Sequence, residues 1–281
     1  MPNAARDVVA QLAYLVPNPG RAQRLVYPPN SGRALVYPAQ EYHSLLIADC
    51  RSLTPAPTVD SAGFALLHQA SVLTDFYDDA DIRTRYYPEI AQFLRHALDA
   101  LDVVVFDHNQ RSAVRAKQGQ AGVRMPVDAA HNDYTPQSGP RRACEILSDA
   151  GRPPYAGQRM ALINVWRPIV GPVQDVPLAM CDARSTAASD FVATDIHHFG
   201  EDDLEHPRHS GEIYSLVYNP EHRWYYVADM QPDEVLLLKN WDSSADGRAC
   251  FTPHTGFRNP AAPATARPRE SIEVRTLVIY P

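Results

Sequence analysis

Short apolar runs separated by turn residues dominate the second half of the sequence. They lie at residues 160–167, 212–218, 223–227, 234–239 and 271–280. Each run has the length of a strand, and the chain carries 25 prolines among its 281 residues. Frequent prolines and short apolar runs favour many turns and few long helices. The pattern predicts a mainly β fold with flanking helices, built as a sandwich or jelly roll.

Two helices interrupt this pattern. The first is predicted over residues 88–102, where apolar side chains recur at helical spacing and Pro88 suits the first turn. These apolar residues are Ile90, Phe93, Leu94, Ala97, Leu98 and Leu101. One apolar stripe of this kind packs a helix against the outside of a sheet. A buried strand is predicted at 103–106, and a second helix over about 138–150.

The beginning of the chain is less regular. Residues 1–60 are predicted to form an irregular N-terminal arm with short strands, including a hairpin across 28–32 and a strand at 43–49. Residues 61–150 supply helices and the first strands, and residues 151–281 supply the rest of the jelly roll. The polar and basic stretch 109–130 is predicted to be a mobile loop. Because no linker divides the sequence, residues 1–281 are predicted to form a single domain.

Charge and composition limit the class of partner. The formal net charge of -7 disfavours a general nucleic-acid surface, which needs clustered lysine and arginine. No apolar run approaches the roughly 20 residues that cross a bilayer, and no signal peptide is recognisable. The four cysteines are widely spaced, which disfavours a thiolate zinc site. Without an export signal, reduced thiols in the cytoplasm are expected. We therefore expect no nucleic acid and no membrane as partner. A homodimer or a partner protein is left open, and a small-molecule substrate is what the family resemblance described below implies.

The most informative polar motif is His131-Asn132-Asp133. Alternate residues of a strand point to the same face, so His131 and Asp133 converge while Asn132 turns away. A distant histidine, His254, would complete two nitrogens and one carboxylate on one side of a metal. This donor set leaves the opposite side of the ion open and suits non-haem Fe(II). The alternative is a chance pair in a polar loop, since the chain has 11 histidines.

The last strand carries a second set of polar residues on one face. By alternation these are Arg269, Ser271, Glu273 and Arg275. An arginine fork with a serine hydroxyl can hold a carboxylate. A metal face with such a clamp for a dicarboxylic acid is the minimal apparatus of a 2-oxoglutarate-dependent oxygenase. The alternative is a ladder of solvated salt bridges on a surface strand.

Several longer stretches carry a family resemblance. HNDYT, INVWRP, MCDARS, YNPEHRWYYVADMQPDEVLLLKNWDS, PHTGF and PRESIEVRTLVIY are similar to the AsaB-type hydroxylase/desaturase family. That family includes the cephamycin 7-alpha-methoxylase component and a fungal endoperoxide-forming enzyme. The resemblance covers roughly residues 45–281. It implies a double-stranded β-helix (jelly-roll, cupin-like) fold, Fe(II), 2-oxoglutarate as co-substrate and O2.

The resemblance also assigns roles to individual residues. His131 and Asp133 match the first two iron ligands of the family, and His254 matches the third. Arg269 and Ser271 resemble the Arg-x-Ser clamp for 2-oxoglutarate, while Arg267, Arg275 and Arg167 stay open as alternatives. Further candidates for the substrate pocket are Tyr134, Asn164 and Trp166, with plain core packing as the alternative for Trp166.

The expected function is oxidation of an unactivated C–H bond of a small secondary metabolite by hydroxylation, desaturation or oxidative cyclisation. Two alternatives use the same residues differently. One is a metal-dependent hydrolase or isomerase, and the other is a non-catalytic partner subunit of an oxygenase.

Overall fold

The computed structural model describes residues 6–17, 20–28, 31–155 and 157–281. The strands are β1 (Val8–Leu15), β2 (Ala22–Val26), β3 (Gln40–Asp49), β4 (Phe64–His68), β5 (Asp102–Ser112), β6 (Val123–Arg124), β7 (His131–Asn132), β8 (Met160–Pro168), β9 (Leu178–Cys181), β10 (Phe191–His198), β11 (His209–Leu216), β12 (Trp224–Tyr226), β13 (Glu234–Asp242), β14 (His254–Gly256) and β15 (Glu270–Ile279). The helices are α1 (Asp79–Asp81), α2 (Tyr87–Ala97), α3 (Ala113–Lys117) and α4 (Ser138–Asp149), with a π-helical turn at Ile82–Tyr86. Short 3-10 turns lie at Cys50–Ser52, Ala183–Ser185 and Ala188–Asp190.

The strands form two sheets. A nine-stranded sheet has the order β1-β3-β12-β9-β14-β7-β11-β10-β2, and a six-stranded sheet has the order β4-β13-β8-β15-β5-β6. All five runs predicted as strands in the second half lie on strands, so the mainly β fold with flanking helices is confirmed. No helix in the described part of the chain is long and apolar enough to cross a membrane.

The six-stranded sheet is covered on one face by α2. Val165 of β8 and Val274 of β15 lie in one buried cluster with Ile90 and Leu94 of the helix. The apolar stripe predicted for this helix therefore packs against the sheet as expected. The opposite face of the sheet carries Trp166, which packs against residues of the nine-stranded sheet such as Met180. That second cluster fills part of the space between the sheets.

The predicted end of this helix was wrong. The α-helix stops at Ala97 rather than continuing to residue 102. Asp99 adopts φ 49, a left-handed conformation that reverses the chain, and the Ala100 N–H bonds to the Arg95 carbonyl at 3.0 Å. This closure ends the helix, and β5 begins at Asp102. The helix predicted over 138–150 is confirmed as α4.

Two other predictions are corrected. The described part of residues 1–60 is not an irregular arm, because β1 pairs over its full length with residues 40–47 of β3 and β3 continues the nine-stranded sheet through β12. The stretch 109–130 is not simply a loop. Its first residues complete β5, α3 follows, and β6 pairs with β5. The predicted hairpin survives as one bridge between Leu25 and Val36, while Pro29 and Asn30 of its turn lie outside the described residues.

Candidate metal and co-substrate site

Three metal-capable side chains meet on the inner face of the nine-stranded sheet. Strands β7 and β14 place His131 directly opposite His254, with ring centroids 4.6 Å apart. Asp133 follows β7, and its Oδ1 lies 3.6 Å from Nε2 of His131. One ligand atom from each residue lies within 4.8 Å of the others, and no second such group occurs in the described residues. The structure therefore brings together the three residues that the sequence singled out.

Backbone carbonyls fix the orientation of both imidazoles. Nδ1 of His131 lies 2.8 Å from the Ala129 carbonyl, and Nδ1 of His254 lies 2.9 Å from the Thr252 carbonyl. A carbonyl oxygen only accepts, so each Nδ1 carries the proton. Each Nε2 then keeps a free lone pair, which is the arrangement found at histidine metal ligands.

Neighbouring groups set the protonation state of the site. Burial and the adjacent His254 lower the pKa of His131 to about 3. For Asp133, burial acts in the opposite direction, but the charges of Arg275, His254 and His131 outweigh it and hold its pKa well below the usual range. Near neutral pH the site presents a neutral imidazole at position 131 beside an ionised carboxylate. Metal ligands must be deprotonated in this way.

Two side chains hold the other oxygen of Asp133. Asn164 of β8 donates from Nδ2 to Oδ2 of Asp133 at 2.8 Å, and Nη2 of Arg275 lies 3.5 Å from the same oxygen. Both partners belong to the six-stranded sheet, where Arg275 and Asn164 are cross-strand neighbours. The carboxylate is thus oriented from the facing sheet.

Asn132 ties the metal-binding segment to its surroundings, a role that sequence reasoning missed. Its Nδ2 donates to the carbonyls of Tyr134 and Asn240 at 2.8 Å each. Its Oδ1 accepts from the Thr252 N–H at 3.0 Å. Because Thr252 also anchors His254, this one buried amide links two of the candidate ligands. The outward position of Asn132 in the alternating motif was the only signal of this role.

Arg269 and Ser271 lie in the protein interior without a full set of partners. Arg269 is 4% exposed and donates from Nη1 to the Val176 carbonyl at 3.0 Å, while its buried Nε has no hydrogen-bond partner. Its guanidinium lies over the Trp166 ring, 5.3 Å from the centroid. The Ser271 hydroxyl is also buried without a partner. Burial and the charge of Arg111 lower the pKa of Arg269 to about 9.

The three other candidate arginines are placed differently. Arg167 lies on the helix-covered face, where it donates to the carbonyls of Pro232 and Gln69. Arg267 is exposed to solvent. Arg275 is already engaged by the carboxylates of Asp133 and Asp107. Arg275 also has a buried Nε without a hydrogen-bond partner, but its guanidinium is paired with carboxylates, whereas Arg269 is buried at the inner face and makes no salt bridge with a described residue.

Arg111 joins this environment and was not predicted. It lies on β5 directly opposite Ser271, and it donates from Nη1 to the Met125 carbonyl at 2.7 Å. Burial lowers the pKa of Arg111, and the charge of Glu273 partly offsets that effect. Strand alternation would have indicated Arg111, had β5 been extended beyond residue 106.

The predicted pocket residues divide into different environments. Asn164 contacts Asp133 and supports a candidate ligand. Trp166 is 2% exposed and belongs to an apolar cluster, although one face of its ring lies under Arg269. Tyr134 is partly buried against the cluster that contains Trp241, and burial raises its pKa to about 12.

Comparisons with known proteins place this site in a family. The model of a family described as "Oxidoreductase/YMDC permease-like domain" matches residues 12–279. The hydroxylase/desaturase efuI of Hormonema carpetanum is 32% identical over 252 residues, which cover 84% of this chain and 83% of the relative. The Fe(II)/2-oxoglutarate-dependent dioxygenase nvfI of Aspergillus novofumigatus is 27% identical over 279 residues, covering 96% and 95% of the two chains.

A solved structure confirms the fold. A structure of the iron and alpha-ketoglutarate-dependent endoperoxidase NvfI superposes with a TM-score of 0.80 at 23% identity and covers 98% of each chain. The double-stranded β-helix, or jelly roll, predicted from the sequence is therefore confirmed. The family match and the efuI relationship agree with the resemblance carried by the sequence motifs. The chain therefore belongs to the hydroxylase/desaturase family of oxidoreductases, whose curated relatives include Fe(II)/2-oxoglutarate-dependent dioxygenases.

Proposed function

We propose that this protein is a non-haem Fe(II)/2-oxoglutarate-dependent dioxygenase. Its reaction is oxidation of an unactivated C–H bond of a small secondary metabolite, by hydroxylation, desaturation or oxidative cyclisation. One observation carries the proposal. Two oriented imidazole nitrogens and an ionised carboxylate share the space between the sheets with a buried, incompletely paired Arg269 and Ser271.

The donor set fits Fe(II). His131, Asp133 and His254 offer two nitrogens and one carboxylate oxygen, a set with open positions that is typical of non-haem Fe(II) oxygenases. Backbone carbonyls hold both imidazoles in the tautomer that binds a metal through Nε2. Asn164 and Arg275 leave Oδ1 of Asp133 free while they engage Oδ2. These outer contacts fix the ligands before an ion arrives.

The arginine environment fits a dicarboxylate. Arg269 provides an unpaired Nε, Ser271 provides an unpaired hydroxyl, and Arg111 adds a second positive charge nearby. A buried guanidinium without an anionic partner is costly, and a bound carboxylate removes that cost. We assign the distal carboxylate of 2-oxoglutarate to Arg269 and Ser271. Arg167, Arg267 and Arg275 are thereby set aside as the clamp.

Iron, 2-oxoglutarate and O2 together supply the oxidant for the C–H bond. The residues of the protein hold the candidate metal ligands in position. Asn132 links β7, β13 and the segment before His254, so that the ligands move little relative to one another. Arg275 and Asn164 keep the Asp133 carboxylate ionised and oriented. Such preorganisation reduces the loss of metal affinity that free side-chain rotation would cause.

The test is spectroscopic. Fe(II) and 2-oxoglutarate are added to the metal-free protein under anaerobic conditions, and a weak visible charge-transfer band is expected when both bind together. Air is then admitted with candidate metabolites, and succinate is measured. A protein that binds Fe(II) but develops no band with 2-oxoglutarate would contradict the proposal.

The alternative functions can be separated by the same assay. A hydrolase or isomerase would need neither 2-oxoglutarate nor O2, and the names of the curated relatives do not favour it. A non-catalytic partner subunit would form no succinate with any metabolite. The complete donor set supports the catalytic role.

We also propose the finer features expected from the sequence. Residues 1–281 act as a single oxygenase domain, supported by sheets that each combine early and late strands. A cytoplasmic location and a homodimer or partner protein are further predictions. Cell fractionation and light scattering of the purified protein test them.

A further inference from the structure

The inner face of the nine-stranded sheet continues outward from the metal site. Ser215 of β11 lies directly opposite His131, so their side chains share a face. Ile213 lies two residues before Ser215 on β11, so its side chain points to the same face. It pairs with Thr194 of β10. The Thr194 hydroxyl donates to the Ser215 hydroxyl at 2.7 Å. Ile196 lies two residues after Thr194 on β10, so its side chain points to the same face.

The far end of this face bears positively charged or protonatable groups. His198 follows Ile196 on the same face and lies opposite His209, with ring centroids 6.1 Å apart. Arg24 of β2 lies beside Ile196 in the parallel pairing. The edge of the sheet therefore places two histidines and one arginine on the surface that begins at His131.

The six-stranded sheet contributes two arginines on its own inner face. Arg111 of β5 lies opposite Ser271 on the inner face, and Arg124 of β6 is its neighbour in the parallel pairing. Burial lowers the pKa of His198, and the charges of His209, Arg124 and Arg24 lower it further. By register, Arg111 and Arg124 lie on the inner face of the six-stranded sheet and His198 lies on the inner face of the nine-stranded sheet, so they border the space between the sheets, which we call the cleft.

The basic groups at this end of the face lack acidic partners among the described residues. Within the described parts of the chain, Arg24, Arg124, His198 and His209 make no salt bridge. Nε of Arg24 is buried without a hydrogen-bond partner, while its Nη2 donates to the Tyr37 hydroxyl at 3.4 Å and its guanidinium lies 4.7 Å from the centroid of that ring. The protein as a whole has a net charge of -7. A local excess of positive charge in an acidic protein is a feature that attracts an anion.

The surface between the metal ligands and these cations is largely apolar. It carries Val192, Ile196 and Ile213, and all three are only partly buried. Gly211 lies opposite Ile196, and a Cβ built on it meets nothing within 4 Å. The cleft is therefore open where an apolar molecule would lie.

We propose that this cleft is the substrate-binding part of the oxygenase site and that it selects an amphipathic anion. The apolar body would lie along Ile196 and Ile213, with its reactive carbon toward the metal ligands. A carboxylate or sulfonate would lie among Arg24, Arg124 and His198. This assignment rests on the proposed function for the identity of the reacting centre, whereas the binding preference itself needs no chemistry.

The test uses a matched pair of fluorescent probes on the full-length, metal-free protein. Anilinonaphthalene sulfonate has an apolar ring system and one anionic group, and anilinonaphthalene is the same skeleton without the charge. We expect saturable binding of the sulfonate, tighter than that of the neutral probe. The double variant Arg24→Gln/Arg124→Gln should weaken sulfonate binding by about tenfold and leave the neutral probe unchanged. High salt should reduce the difference between the two probes.

Two further variants complete the design. Arg95→Gln removes one positive charge from an exposed position on α2, away from the cleft, and should leave both probes unaffected. Gly211→Leu should weaken both probes, because its side chain fills the open part of the cleft. Unchanged sulfonate binding in the double variant, or equal loss in Arg95→Gln, would overturn the proposal. Probe binding is measured without iron or 2-oxoglutarate, so its outcome is independent of the spectroscopic test of the oxygenase.

Discussion

Asn164 donates a hydrogen bond of 2.8 Å from Nδ2 to Oδ2 of Asp133, and so joins the six-stranded sheet to a candidate metal ligand on the other sheet. The opposite oxygen of the carboxylate faces His131. Removal of this contact should let the carboxylate rotate. We expect Asn164→Ala to weaken Fe(II) binding by roughly 10- to 100-fold. Anaerobic titration with Fe(II) measures the change.

Asn219→Ala is the matched control for this prediction. Asn219 also donates to a buried carboxylate, that of Asp190, but at a different place in the fold. The control should leave the dissociation constant for Fe(II) unchanged. Equal constants for Asn164→Ala and the unmodified protein would show that Asp133 needs no support from β8.

Removal of the carboxylate itself should have a larger effect. Asp133→Ala leaves only two imidazoles, and we expect succinate formation to fall below about 1% of its original rate. The fold should persist, because Arg275 retains Asp107 and Glu273 as partners. Circular dichroism and a thermal melt check the fold, and a succinate assay checks turnover. Normal turnover by a folded variant would mean that the assigned site is wrong.

Arg269 and Arg267 offer a direct comparison in the same segment. Arg269→Ala should raise the 2-oxoglutarate concentration needed for half-maximal rate by about 100-fold, since a charge-assisted contact to the carboxylate is lost. Substrate binding should change far less. Arg267→Ala is the control, because Arg267 is exposed. An unaltered 2-oxoglutarate requirement in Arg269→Ala would move the clamp to Arg275, Arg267 or Arg167.

His222 makes stability depend on pH. Trp224 donates from Nε1 to the Tyr14 hydroxyl at 2.7 Å, and that hydroxyl lies 3.2 Å from Nδ1 of His222. Nε2 of His222 lies 3.0 Å from Oδ2 of Asp190. Burial lowers the pKa of His222, although Asp190 acts in the opposite direction. The neutral imidazole, accepting at Nδ1 and donating at Nε2, fits this network.

The sign of the pH effect follows from linkage. Below about pH 6.5 the unfolded chain binds a proton at His222 while the folded protein does not, so stability falls as the pH falls toward the lowered folded pKa. One proton contributes at most about 1.4 kcal/mol per pH unit. Urea unfolding at several pH values between 5 and 7 should show a shallower dependence for His222→Gln. An identical slope in both proteins would exclude His222 as a source.

Gly139 tests the packing of the helix that follows the metal-binding segment. A Cβ at this position would overlap the indole ring of Trp241. We expect Gly139→Ala to lower the free energy of unfolding by about 1–3 kcal/mol, as overpacking does elsewhere. Gly211→Ala is the control, because a Cβ there meets nothing within 4 Å. Chemical denaturation measures the free energy of unfolding of both variants. Equal values for Gly139→Ala and Gly211→Ala would show that Trp241 can move aside.

Periodicity in the sequence was sufficient for the elements with strong local patterns. Alternation and turn residues identified the strands around Asn164, and helical spacing identified α2 and α4. The same alternation predicted that His131 and Asp133 share one face, and that Arg269 shares a face of the last strand with Ser271. Their roles as iron ligands and as the co-substrate clamp stay predictions. The local pattern gave the wrong end for α2, which stops at Ala97 because Asp99 adopts a left-handed conformation. It also missed the strands within residues 109–130, because these polar residues are held in strands by pairing with β15 and β5.

The contacts between segments that are far apart in the sequence are visible only in the folded structure. The sequence offered Arg269, Arg275 and Arg167 as candidates for binding 2-oxoglutarate. Only the folded structure shows that Arg275 contacts Asp133 and that Arg167 lies on the helix-covered face. Arg111 and Arg24 gave no local signal, because their significance depends on which strand lies beside each of them. A strand's periodicity specifies the face of a residue. The partner across that face depends on contacts between segments far apart in the chain.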